Sequence, residues 1–147
     1  MSKFKPSVYC AGKMSGLSYA QANEWRVELA TLILNDFIIL SPMRDQNREG
    51  FEKACAGACD SRFEMVRDLT DLERADVIVA RFALNEQSSF GTAVELGTCI
   101  PLRKPVIFVI DENDRLLGHP FVQAFPRGII THNLEDCASY LYSMFNL

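Results

Sequence analysis

Asp76-Val77-Ile78-Val79-Ala80, a polar loop, and then Ser88-Ser89-Phe90-Gly91-Thr92-Ala93-Val94-Glu95-Leu96-Gly97 form the stretch that decides the fold of this chain. Val77 to Ala80 is an unbroken apolar run, the pattern of a strand covered on both faces. The second part opens a helix with small residues and free backbone N–H groups at its start. Strand, loop and helix in that order belong to a parallel sheet, and ligands in such sheets bind at the carboxyl ends of the strands. Gly91 lets a ligand approach the backbone, while Ser89 and Thr92 supply hydroxyls. Glu95 lies one turn in, among apolar neighbours, where a carboxylate fits covalent or acid–base chemistry better than most surface charges do.

The rest of the chain repeats the alternation. Residues 8–11 are apolar and break at Gly12, which predicts the first strand. Ser18 is placed to cap a helix through about residue 35, with Ala22, Trp25, Leu29, Leu32 and Ile33 on its inner side. Residues 37–40 read as a second buried strand, and 43–60 as a loop with loose helix over the site. A helix over 62–74 would bury Phe63, Val66, Leu69 and Leu72. The third strand spans 76–80, the next helix about 90–102, and the fourth strand 105–110. A charged turn at 111–118 precedes a fifth strand at 127–131. Asn133 caps a last helix to about residue 145, with Leu134, Cys137, Tyr140, Leu141 and Met144 inward. The expected fold is α/β, a doubly wound, flavodoxin- or Rossmann-like five-stranded parallel sheet with helices on both faces. One domain over residues 1–147 is expected, without internal repeats.

Composition narrows the function. At 147 residues the chain can bury a substantial core. A formal charge of −4 opposes binding to duplex nucleic acid, which calls for a basic stripe. No apolar run approaches the roughly 20 residues of a membrane helix. No secretory leader is evident, so a cytoplasmic location is expected. The five cysteines, Cys10, Cys55, Cys59, Cys99 and Cys137, fit reduced thiols. Cys55 and Cys59 stand four apart without a second Cys or His pair, so helix packing is preferred to a metal site.

Two further constellations stand beside Glu95. Gly12, Lys13, Ser15 and Gly16 lie between the first strand and helix, where an anion cradle and an ordinary tight turn both fit. The order is neither that of a Walker A loop nor G-x-G-x-x-G. Asp68 sits at the edge of the 62–74 helix and would reach the site, whereas periodicity alone favours a solvated face with pairs such as Thr70/Arg74. Asp76 reads as structural, and His132 as a solvated loop histidine. Neither histidine has the setting of a Ser-His-Asp triad.

Together these pieces resemble the nucleoside 2-deoxyribosyltransferase superfamily, which includes nucleoside 5′-monophosphate N-glycosidases. The resemblance covers nearly the whole chain. It rests on Val8-Tyr9-Cys10-Ala11-Gly12, on Asp68-Leu69 followed by residues 75–80, and on residues 91–97 followed by Lys104-Pro105-Val106. Each motif is short; their order and spacing carry the likeness.

The resemblance implies that Glu95 attacks the anomeric carbon of the sugar, as a retaining glycosidase carboxylate does. Asp68 matches an aspartate that positions the leaving base or delivers its proton. Tyr9 matches an aromatic residue beside the sugar, which in the family goes with 2′-deoxyribose. Where transferases acting on free nucleosides have an aspartate, this chain has Ser89. A carboxylate there would repel a phosphate dianion, whereas serine donates to it. Lys13, Ser15 and Gly16, with Gly12 and Gly91, then complete a 5′-phosphate site. His119 matches a position that reaches the neighbouring subunit, which implies at least a homodimer. The expected activity is hydrolysis of a (2′-deoxy)nucleoside 5′-monophosphate, with no metal or organic cofactor. Its rivals are base exchange between free 2′-deoxynucleosides and a non-catalytic nucleotide-binding module.

Overall fold

The structure, a computed structural model, describes residues 4–55, 62–87 and 89–147. Five strands, β1 (Ser7–Ala11), β2 (Ile38–Leu40), β3 (Val77–Phe82), β4 (Val106–Ile110) and β5 (Gly128–Thr131), form one sheet. Its order is β2-β1-β3-β4-β5, and every pairing is parallel. The expected doubly wound sheet is therefore present. Chain order reverses between β1 and β3, and the loops that follow these two strands open a crevice at their carboxyl ends.

Alternation along the strands divides the core in two. Val8, Cys10, Val77, Val79, Ile107 and Val109 face α1 (Tyr19–Leu32) and α6 (Leu134–Phe145). Tyr9, Ala11, Ile78, Ala80, Phe82 and Phe108 face the other way, toward α3 (Arg62–Arg74), α4 (Phe90–Cys99) and α5 (Pro120–Gln123). A helix α2 (Arg48–Cys55) stands in the segment read as loop with loose helix, and its Phe51 is buried against Ala22 and Met43. The turn at 111–118 ends in a 3-10 turn, Arg115–Gly118.

Capping is as the sequence indicated. Ser18 Oγ accepts from Gln21 N at 3.2 Å while Gln21 Oε1 accepts from Ser18 N at 2.9 Å, a reciprocal box that contributes about 1 kcal/mol. Asn133 Oδ1 accepts from Asp136 N at 2.7 Å. Asp76 ties the starts of β1 and β3 together, accepting from Ser7 N and Ser7 Oγ at 2.7 and 2.8 Å.

Several apolar expectations fail. Phe63 and Val66 are exposed, because only the last turns of α3 pack on the sheet, where Asp71 and Leu72 are buried. Leu32 and Tyr140 are also exposed, each one step off the buried stripe of its helix. Cys10, Cys99 and Cys137 are buried and unbridged, and Cys55 is exposed at the end of α2. Cys59, Ser88 and part of the 43–60 segment lie outside the described residues. Among the described residues no helix is long and apolar enough to cross a membrane.

Candidate active site

β1 carries Tyr9 into the sheet with no solvent exposure, and its hydroxyl emerges under α4. There Tyr9 Oη donates to Glu95 Oε1 at 2.6 Å, which leaves Oε2 of Glu95 free of that contact. α3 brings Asp68 to the same cleft. Asp68 Oδ1 accepts from Arg67 Nε and Nη2 at 3.1 and 3.0 Å, and Arg67 Nη2 also donates to Pro42 O at 2.9 Å. The solvated face that periodicity favoured for Asp68 is thus not what forms. Thr70 instead bonds back to Val66 O at 2.7 Å, and Arg74 lies 3.8 Å from Asp71.

Burial sets the electrostatics. It lifts the Glu95 carboxyl from its ordinary 4.5 to about 7, with Asp68 adding to the rise and the Tyr9 hydrogen bond and Arg26 opposing it. Burial also raises Asp68, against the Arg67 hydrogen bonds. Tyr9 is pushed up by burial and by the charge of Glu95, so it remains a proton donor to that carboxylate. Both carboxyls are thus raised by burial in one cleft, a setting in which a carboxyl group can hold or pass on a proton.

Glu95 stands where two lobes of the cleft meet. One lobe, about 310 Å³, is lined by Gly12, Lys13, Ser15, Ser89, Gly91 and Thr92 along with Glu95. The other, about 360 Å³, combines Phe51, Met65, Leu69, Phe90 and Val94 with Gln46, Glu64 and Asp68. Ser89 is the N-cap of α4: its Oγ accepts from Thr92 N at 3.1 Å and lies 2.7 Å from Thr92 Oγ1. With Thr92 Oγ1 as donor in that pair, the Ser89 proton is left for a ligand.

Gly12 answers to close packing as well as to the cleft. A Cβ there would stand 3.0 Å from Trp25 Cζ2 and 3.2 Å from Arg81 O. Gly16 lines neither lobe; its φ of +80° serves the turn closed by Leu17 N donating to Met14 O at 3.1 Å. His119 is exposed, caps α5 by accepting from Phe121 N at 3.3 Å, and lines neither lobe. It borders a separate groove of about 400 Å³ between α4 and α5, with Leu96, Ile100 and Phe121. Among the described residues that groove carries no carboxylate, whereas the cleft at Glu95 carries several.

Sequence reasoning missed three groups around the site. Arg26 is buried and donates to Cys10 O at 3.3 Å, to Gly12 O at 3.0 Å and to Ala22 O, with its guanidinium 4.6 Å over the Trp25 ring. It braces the end of β1 and the loop that follows. Burial lowers its pKa, while the neighbouring Cys10, Glu95, Tyr9 and Asp68 oppose that. The available signal was its position, four residues after Ala22 and three before Leu29 on the inner stripe of α1. Asp71 is buried and holds Arg44, which ties α3 to the loop after β2. Glu64, one turn before Asp68, was passed over because nothing in its spacing separates it from a surface acid. Among the described residues no group of three or more His, Cys, Asp or Glu is arranged to hold a metal ion.

A parallel sheet with a buried tyrosine holding a glutamate in a two-lobed crevice defines an α/β protein built to take a small ligand against a carboxylate. The chain belongs to the nucleoside 2-deoxyribosyltransferase family, whose model it matches over residues 8–140. No curated protein matches it significantly in sequence. Among solved structures it is similar to a 2-deoxyribosyltransferase from the psychrotolerant bacterium Bacillus psychrosaccharolyticus, at 18% identity and a TM-score of 0.63, covering 94% of both chains. It is also similar to a Clostridium botulinum CMP N-glycosidase, at 14% identity and a TM-score of 0.52, over 92% of this chain and 97% of that one. A molybdenum cofactor carrier protein from Chlamydomonas reinhardtii matches at 15% identity and a TM-score of 0.64, over 98% and 100%. At these identities the likeness is one of fold, shared by enzymes and a carrier.

Proposed function

We propose that the protein hydrolyses the N-glycosidic bond of a (2′-deoxy)nucleoside 5′-monophosphate, releasing the free base and the sugar 5-phosphate. The observation that supports this most is the position of Glu95 between a lobe with Lys13, Ser15 and Ser89 and a lobe of apolar and aromatic groups. A mononucleotide has that order of parts: phosphate, sugar, base. The sugar then lies over Glu95.

In this reading Glu95 Oε2 attacks the anomeric carbon while Tyr9 holds Oε1. The bond to the base breaks, its electron pair leaves with the base, and Asp68 supplies the proton. Water, deprotonated by Asp68, then attacks the same carbon and displaces Glu95, which returns the carboxylate. Chromatography of a panel of nucleosides and monophosphates tests the proposal. Base released from monophosphates but not from nucleosides supports it. Exchange of an added second base would mark a transferase, and tight binding without turnover a carrier.

Ser89→Asp tests the phosphate lobe with the fold preserved, because aspartate caps a helix as well as serine does. The added charge is expected to raise the KM for monophosphates by roughly 100-fold, the scale of a like-charge contact in a poorly screened site. Unchanged KM would remove Ser89 from the phosphate lobe. His119, away from its own cleft, is assigned in this proposal to the cleft of a second copy. The protein is then expected to sediment as a dimer or larger, and a monomer with full activity would refute the assignment.

A further inference from the structure

Among the described residues, Glu64 Oε2 is shielded from solvent and has no hydrogen-bond partner. It borders the apolar lobe, one helical turn from Asp68 on α3. A shielded acceptor without a donor costs a folded protein free energy, so such an atom calls for a partner or a role. Around it stand Phe51, Met65, Leu69 and Phe90, a surround suited to the faces of a flat heteroaromatic ring. The lobe therefore sets the Glu64 carboxyl group beside a surround that would hold the faces of a flat ring.

From this orphaned acceptor in an aromatic lobe we infer that Glu64 selects bases that carry an exocyclic amino group. The inference rests on the base occupying this lobe, as proposed above. A carboxylate oxygen accepts from N–H and repels carbonyl oxygens. Cytosine, adenine and guanine each offer an amino group at the ring edge. Uracil and thymine offer one ring N–H between two carbonyls, so a carboxylate that reaches it meets repulsion on both sides. Hypoxanthine replaces the adenine amino group by a carbonyl. Buried polar groups that lose their partner discriminate far more strongly than a missing methylene does.

The test uses two matched pairs, dCMP against dUMP and dAMP against dIMP, with the wild type, Glu64→Leu and Glu64→Gln. In the wild type the amino member of each pair is expected to be cleaved with a kcat/KM at least about tenfold higher. Glu64→Leu is expected to bring both ratios close to one. Glu64→Gln, which keeps the shape and can donate to a carbonyl, is expected to shift both toward the keto member. Equal cleavage within each pair by the wild type would overturn the inference, as would ratios unchanged in both variants. If no nucleotide is cleaved, the hydrolase reading fails, and calorimetric binding of the same pairs decides the inference instead. Tighter binding of the amino members that is lost in Glu64→Leu supports it, and equal or absent binding overturns it.

Discussion

Glu95→Gln is expected to fold as the parent does and to release base at a rate lower by roughly 10⁴-fold or more, the scale of losing a group that acts covalently. The amide keeps an oxygen for the Tyr9 hydroxyl, so the local packing survives. What is lost is the carboxylate that forms the glycosyl ester. Retention of the parental rate would refute the assignment of the nucleophile.

The same variant has a signature in stability. Glu95 binds its proton more tightly in the folded protein, at about 7 against an ordinary 4.5. The folded state therefore holds more protons than the unfolded one between these values, and stability falls as pH rises through that window. Below about pH 4.5 both states are protonated and nothing is lost; above about pH 7 the loss is complete, on the order of 3 kcal/mol. Glu95→Gln is expected to melt above the parent at pH 8 and near it at pH 4.5. Parental kcat/KM should in turn rise with pH along a limb centred near 7, since the attacking group must be ionised. A limb near pH 4.5 would mean that the carboxyl is not held as the structure shows.

Arg26→Met carries the second large effect. It withdraws the donors that serve the carbonyls of Cys10, Gly12 and Ala22 inside the protein. Unsatisfied buried acceptors cost about 1–3 kcal/mol each, so a net loss of about 3 kcal/mol is expected. For a chain of this length that lowers the melting temperature by roughly 10 °C. Arg26→Lys is expected to recover only part, because one ammonium cannot span carbonyls that a planar fork reaches together. A shift smaller than about 2 °C in Arg26→Met would show that the brace is dispensable.

The sheet was legible because its inner strands β1, β3 and β4 are buried on both faces and so carry unbroken apolar runs, as 77–80 and 106–110 do; the edge strands β2 and β5 are partly exposed. Caps at Ser18 and Asn133 were legible because local chemistry sets them. Residues 62–74 misled because periodicity registers an apolar face without saying what covers it. Phe63 and Val66 have the spacing of core residues on turns that extend past the packed end of α3. In the site, Glu95 stood out by its place among apolar residues on the helix after β3, and Asp68 by its place at a helix edge; Tyr9 came only through motif order, a signal that family likeness supplies and spacing alone does not. Arg26, Asp71 and Glu64 stayed hidden because charged residues read as surface until their carbonyls, partner or missing partner are seen. Gly16 and His119 show the converse: small or polar residues near a motif can serve a turn or a helix cap.

The contact between Tyr9 and Glu95 spans 86 residues of chain. Tyr9 belongs to β1, but its hydroxyl has no carboxylate to meet until β3 has paired with β1 and α4 has formed behind it. Parallel pairing across such a separation is slow to nucleate, because the intervening loop must close first. Function should accordingly be the last property regained on refolding, after helical signal has returned from α1 and α6. The pair at the heart of the cleft is thus also a clock for the completion of the sheet.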